Sequence, residues 1–431
     1  MRAVPTRVIA IASVFALAFF ATVTAFPAHA EGTSAAAREE EAKALLRPVC
    51  ADKAARDWVV AQMIAQGGEY ERATGKWDMD IACEQINLQV NPVHDTADPA
   101  DAASHNDWIY DARWSPDGKL IATAGRDGSV RLWDVATGKT VRKIDIAKLP
   151  PRKIEIAELP LRMKADNPSH VRAARFLGDG GSLVVAADTH PIRIFDVESG
   201  ALVAEVPYTQ PDPKWATPPR IATTASGLVI LGGYGGDLVV YDTKEKAERY
   251  RLPGIANDYP MFAVSEMAGL LATTAPGKDR TVIVQLRKLE TGKPVWETEA
   301  KGEPSAYSMT FSRDGNQLSV AVRGQAYIYA TTDKKLINKV LVYPTFGSFE
   351  VAFTADGQRL ITGLRHAQLW DIVTGKRVQH FGPFSDLCHS LDVSPDGKYL
   401  VTSHIGSDGR IWEIGSGTFF RRLGKDVHPP R

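Results

Sequence analysis

Three cysteines in 431 residues are too few for a disulfide framework. At Cys50, Cys83 and Cys388 they match no metal-ligand or haem-attachment spacing. Charge of either sign is also lacking in excess, with 51 Lys and Arg against 51 Asp and Glu, so no broad field gathers nucleic acid. The chain contains no P-loop, no G-x-S-x-G elbow and no H-E-x-x-H zinc helix, which removes the common signatures of nucleotide, serine-hydrolase and zinc-protease chemistry. His389 and His404 fall close together but lack a third ligand at a known spacing, so no metal or other cofactor is expected.

What is present begins with an N-terminal address. Arg2 and Arg7 bracket the start of an uncharged run from Val8 to Phe26, and Ala28, His29 and Ala30 precede Glu31. A positive end, an apolar centre and small residues before the cut describe a secretory signal, so residues 1–30 are read as a signal peptide cleaved after Ala30. The alternative is an uncleaved anchor, since the run is nearly long enough to span a bilayer; membrane contact is expected through this segment alone. Either way Arg2 and Arg7 stay inside and the remainder is delivered to the far side, the periplasm of a bacterium. There Cys50 and Cys83, both ahead of the repeats, are expected to pair, for about 3.5–4 kcal/mol in the chain-entropy account. Three reduced, buried cysteines are the alternative.

Residues 31–103 read as a helical segment and linker. An Ala- and Glu-rich helix stops at Pro48, and a second, over about 52–66, carries Ala55, Trp58, Val59 and Met63 on one stripe. Ile86, Leu88 and Val90 then alternate with polar residues like a half-buried strand. Residues 91–104 have linker composition.

From residue 104 to 425 one cadence returns seven times. Its first copy, His105 to Ile144, reads HNDWIYDARWSPDGKLIATAGRDGSVRLWDVATGKTVRKI, four strand-like runs separated by SPDG, GRDG and ATGK turns. Anchors at the end of each first strand fall at Trp114, Phe176, Ala222, Val264, Phe311, Phe353 and Val393, with steps from 40 to 62 residues. Turn signatures persist as SRDG at 312–315, TADG at 354–357 and SPDG at 394–397, and Asp-tipped endings as IFD at 194–196, VYD at 240–242 and LWD at 369–371. The pattern resembles the WD-repeat β-propeller family. The resemblance implies an all-β fold, a seven-bladed propeller of four-stranded antiparallel blades, here in an exported bacterial member. It also implies a blade-holding network in the first copy, from His105, Thr123, Asp127 and Trp133. A catalytic triad is the rival reading of those residues, disfavoured because the hydroxyl should lie between strands rather than face a cleft.

Two local features complete the reading. RKIDIAKLP at 142–150 recurs as RKIEIAELP at 152–160, a local duplication whose first copy is expected to finish the outer strand. Turns between second and third strands should share one face, and they offer Arg126, His190, Tyr234, Lys278 with Arg280, Arg323, Arg365 with His366, and His404. Asp107 and Trp108 lie beside them. Such a ring favours an acidic ligand, although basic or imidazole residues are common enough that a five-residue turn holds one about half the time. The expected function is a monomeric, non-catalytic periplasmic platform that binds a protein or acidic peptide, not nucleic acid. Its rivals are a hydrolase-like, lactonase-like or quinone-dependent propeller enzyme working in the channel, and an envelope-complex subunit docked through the N-terminal helix.

Overall fold

Hydroxyl side chains build the first turn of most blades. In the computed structural model Ser115 Oγ donates to Asp117 Oδ1 at 2.7 Å and accepts from the Leu120 amide at 2.9 Å. Gly118 closes this turn at φ 73°, a left-handed conformation that a residue with a Cβ adopts only under strain. The same hydroxyl-to-aspartate bond forms at Ser312 and Asp314, Thr354 and Asp356, and Ser394 and Asp396. The Asp-tipped third strands have a separate physical reason. Asp134 Oδ1 accepts from the Thr137 amide and hydroxyl at 2.7 and 2.6 Å, and Asp371 repeats the arrangement with Thr374. Each such aspartate fixes the hairpin into the outer strand.

The structure describes residues 105–423 apart from 151–169, 179, 189, 209–218, 234–236, 256–260, 280, 302–305, 343–349, 364–366, 382–387 and 405–407. In blade 1 the strands Ile109–Trp114, Leu120–Gly125, Ser129–Asp134 and Thr140–Asp145 pair antiparallel in chain order. Six further four-stranded sheets follow with the same consecutive order. Their first strands are Val171–Leu177, Arg220–Thr223, Phe262–Ser265, Ala306–Phe311, Glu350–Phe353 and Cys388–Val393. All seven sequence anchors lie in first strands. These strands contact one another in turn and the first also meets the seventh, so the sheets close into a seven-bladed β-propeller with first strands innermost.

Blades adhere through apolar faces. Ala122, Val130, Leu132 and Ile144 of blade 1 pack on Val171, Phe176, Leu183 and Phe195 of blade 2. Middle strands, covered on both sides, are buried along their length, as in Leu228–Gly232. Outer strands such as Leu202–Val206 are mostly exposed, the burial gradient expected of a radial stack.

The last sheet takes its outer strand, Phe419–Leu423, from its own repeat, as the TFFRRL stretch predicts. The first copy of the duplication forms the outer strand of blade 1 and a short 3-10 turn, Ile146–Lys148. Its second copy, both N-terminal helices, the 86–90 strand, the signal segment, Cys50 and Cys83 all lie outside the described residues. Cys388 is buried in the innermost strand of blade 7, where desolvation pushes its thiol up to about 12, so it is an unreactive packing residue.

Candidate functional site

The seven innermost strands surround a cavity of about 790 Å³. Two residue-level devices decide what faces it. The first is a repeated irregularity. In the first strands of blades 1, 2, 5 and 7 the register against the second strand slips by one residue at an equivalent place, making Tyr110, Arg172, Tyr307 and His389 the extra residues. A bulge redirects the side chain that the regular alternation would have placed elsewhere. Tyr110, Arg172 and His389 all line the cavity.

They belong to a stack at its mouth. The Arg126 guanidinium lies 5.1 Å from the Trp108 ring centre, and Trp108 lies 5.9 Å from His389. His389 meets Tyr110 edge-on at 5.5 Å, and Arg172 covers Tyr110 at 4.4 Å. Cations are held over ring faces at both ends. Arg172 is also bound bidentately by Asp188, at 3.0 and 2.7 Å, and Arg126 stands 3.8 Å from Asp107. Burial and then the Arg172 charge hold the His389 imidazole below its ordinary pKa, against a smaller opposing effect of Glu350. It is therefore neutral at pH 7, and its Nε2 is buried with no hydrogen-bond partner among the described residues.

The second device is a serine and acid clasp between blades. Ser390 Oγ of blade 7 donates to Asp111 Oδ1 of blade 1 at 3.1 Å and accepts from the Ala112 amide at 3.3 Å. Ser308 of blade 5 repeats this on blade 6, donating to Glu350 Oε2 at 2.9 Å and accepting from the Val351 amide at 3.3 Å. Asp111 also accepts from the Ala174 amide of blade 2 at 3.1 Å and pairs with Arg113 and Arg175. One carboxylate thus ties three blades together. Burial lowers Arg175 to about 10 despite the acids nearby, and burial raises Asp392 against the pull of Arg113.

Within blade 1, His105 Nδ1 is 3.0 Å from both Asp127 oxygens. Thr123 Oγ1 lies 2.7 Å from His105 Nε2 and accepts from the Trp133 indole at 2.8 Å. The Ser129 amide adds 3.0 Å to Asp127. Each buried polar group is paired, and the hydroxyl lies between strands rather than in the cavity. Partial copies occur in drifted blades. Trp370 donates to Thr362, while in blade 7 Trp412 donates to Thr402, which bonds His404 Nε2 at 2.9 Å. Here His404 reaches the threonine from within the second strand, replacing an entry histidine.

That substitution corrects the predicted ring of turn residues. His404 is 1% exposed and His190 2%; His190 is held by the Asp188 and Leu149 carbonyls at 2.8 and 3.2 Å. Neither imidazole reaches the face. Asp188, beside His190, is the buried counter-charge of Arg172. Arg126 joins Trp108 at the mouth, whereas Lys278 and Arg323 are exposed on their own turns. Tyr234, Arg280, Arg365 and His366 lie outside the described residues. The cavity charges Arg113, Arg172, Arg175, Arg220, Glu350 and Asp392 were missed. Their signal was a charged residue next to an apolar one inside an innermost strand, as in YDARW and RAARF.

Comparison with known proteins agrees with this architecture. Residues 102–134 and 375–412 match the family described as WD domain, G-beta repeat, and the chain carries WD40 repeats. It is 24% identical over 248 residues to WD repeat-containing protein 55 of Arabidopsis thaliana, covering 56% of this chain and 67% of that protein. Shorter matches reach 32% identity over 75 residues with coronin-7 of Rattus norvegicus and 40% over 47 residues with small ribosomal subunit protein RACK1 of Glycine max. These two span 17% and 11% of this chain, and only 7% and 14% of those proteins.

Proposed function

We propose that this protein is an exported bacterial propeller that acts as a non-catalytic scaffold, binding a protein or an acidic peptide at the channel mouth. WD40 propellers are typically protein-interaction scaffolds, and the observation that carries the reading here is the stack of Arg126, Trp108, His389, Tyr110 and Arg172. Trp, Tyr and Arg dominate interface hot spots, and rings already fixed by stacking lose little freedom when a partner docks. The two guanidinium groups favour a carboxylate-bearing segment. Lys278 and Arg323, exposed on their turns, extend the basic character of the surface. A monomer suffices, since one ring presents the whole mouth.

Export rests on Arg2, Arg7, the Val8–Phe26 run and the Ala28-His29-Ala30 site. A reporter enzyme active only in an oxidising compartment, fused after residue 104, should be active; an inactive fusion would sink the periplasmic assignment. For binding, affinity capture from the periplasm should be run with the wild type beside Trp108→Ala and Arg126→Ala. Loss of specific partners from both variants is the expected result, and equal recovery from all three would remove the mouth as the site.

One observation favours catalysis as a second reading: hydroxyl and carboxylate pairs, Ser308 with Glu350 and Ser390 with Asp111, face the cavity. A nucleophile needs a base to take its proton, yet both serines donate to acids that hold blades together. Screening the pure protein against esters, lactones and alcohols tests this. Turnover abolished by Ser308→Ala would establish the enzyme reading.

A further inference from the structure

Near its start every outer strand slips by one residue against the third strand of its blade. In five blades the first residue past that slip is a hydrogen-bond donor that crosses to the next blade, onto the hairpin between its third and outer strands. Arg142 donates to the Ser199 carbonyl at 3.0 Å, Tyr250 to Leu289 at 2.7 Å, Asn338 to Ile372 at 2.7 Å, Gln379 to Ile414 at 3.2 Å, and Arg421 to Ala136. Each hairpin that receives such a strap has glycine in its left-handed position, at Gly200, Gly292, Gly375, Gly417 and Gly138. The close approach requires it. A Cβ there would lie 2.3–2.9 Å from the crossing side chain at four of these positions and 3.3 Å from it at Gly375.

Blades 2 and 4 carry Ala204 and Trp296 at the donor position. The hairpins that follow them, in blades 3 and 5, hold Lys246 and Lys334 in the left-handed place, at φ 55° and 64°. Donor and glycine are thus kept or lost together. Between blades 4 and 5 the loss is made good from the opposite side. Lys334 Nζ donates to the Val295 carbonyl at 3.1 Å, the Tyr327 hydroxyl donates to the Lys301 carbonyl at 2.7 Å, and Trp296 meets Tyr329 edge-on at 5.6 Å. Between blades 2 and 3, Ala204 offers no donor and Lys246 is exposed. Leu202 and Val203 beside it are 46% and 61% exposed. That junction keeps apolar contact, with Ile194 and Val206 against Ile221 and Tyr241. At the innermost strands it keeps a bond from Thr223 Oγ1 to the Phe176 carbonyl at 2.7 Å.

We propose that the propeller is a split ring: blades 2 and 3 part at the rim, hinged on their innermost strands, while the straps and the reversed bonds hold the other six junctions shut. In a stack where each blade touches only its neighbours, the interface without its strap opens at the lowest cost. Opening bares the apolar seam around Val206. This device does not depend on docking at the channel mouth.

Thiol labelling of the full-length protein under native conditions tests it. Val206→Cys and Val340→Cys place a cysteine at equivalent, buried positions of the outer strands of blades 2 and 5, the first at the unstrapped seam and the second two residues beyond the Asn338 strap. Peptide mass mapping after reaction with a maleimide separates each from the native cysteines. Val206→Cys should label about fivefold faster or more, the scale of one hydrogen bond. Adding Ala204→Arg and Lys246→Gly, which copies the Arg142 and Gly200 pair, should slow it to the rate of Val340→Cys, whereas Ala204→Arg with Lys246 in place should slow it less. Equal labelling of the two single variants overturns the proposal, as does a repaired seam that labels as fast as the unrepaired one. The comparison of single variants keeps every native strap, so it stands even if the repaired chain fails to fold.

Discussion

Thr123 has one hydroxyl and two buried dependants, the Trp133 indole and the His105 ring. Thr123→Val keeps the shape of the site and strands both, which should cost about 2–4 kcal/mol, since each unpaired buried group costs roughly 1–3. Thr362→Val strands only the Trp370 indole and should cost about half as much; chemical denaturation of the two variants measures the difference. Acid acts on the same network twice. Burial lowers the His105 pKa despite Asp127, so below about pH 6.5 the unfolded chain takes up a proton that the folded one refuses, and stability falls. Burial alone would raise Asp127, but the bonds from His105 and Ser129 outweigh it and bring its carboxyl to about 2. Its contribution is present above the unfolded pKa near 4 and is lost as pH drops toward 2, on the order of 2 kcal/mol. Denaturation at pH 7, 5 and 3 should show both steps, and Asp127→Asn should remove the second.

At the scale of strands and turns, much was legible because the same local chemistry recurs. S-x-D-G and D-x-x-T sequences name the residues that close hairpins, and apolar runs between them name the strands. The bulges were not legible. One extra residue leaves composition unchanged and shows only as consecutive non-apolar positions, Tyr110 with Asp111 or His389 with Ser390, and strict alternation then assigns the wrong face. His190 and His404 misled for a related reason, since a turn position in sequence does not report whether the side chain bends back between strands. The bulged Arg172 tests the cost of such an element. Its carboxylate partner Asp188 is fully buried, so Arg172→Ala should destabilise the protein by about 2–3 kcal/mol, a value reduced by the partial exposure of the guanidinium and the nearby His170. Asp188→Asn in the same chain should recover part of that loss in a double-mutant cycle.

For the whole molecule, the decisive contact is the junction of blades 7, 1 and 2 around Asp111. No strand crosses from one sheet to another among the described residues. Side chains and apolar faces therefore hold the first and last blades together. The Trp114 amide and indole reach the Asp392 side chain and carbonyl at 3.0 and 3.2 Å, and Arg113 bonds the Leu391 carbonyl at 2.7 Å. Asp111→Ala removes the charge shared by Arg113 and Arg175 and should cost about 3 kcal/mol or more, with faster proteolysis in blades 1 and 7 than in blade 4. Cleavage sites mapped by mass spectrometry after brief protease exposure check the location as well as the size of the effect. Seven closed sheets were readable from sequence spacing, but this fastening was not, because it joins residues 278 and 279 positions apart.

Since each described sheet is cut from one stretch of chain, the blade at which the chain begins is arbitrary with respect to the disc they form. A circular permutant opened ahead of Val171, with a flexible linker bridging Leu423 to His105, should keep all seven sheets and melt within a few degrees of the parent once residues 1–104 are removed from both. Every blade then keeps its own neighbours and their clasps, and loops grafted between them would be displayed at fixed angular positions around the axis.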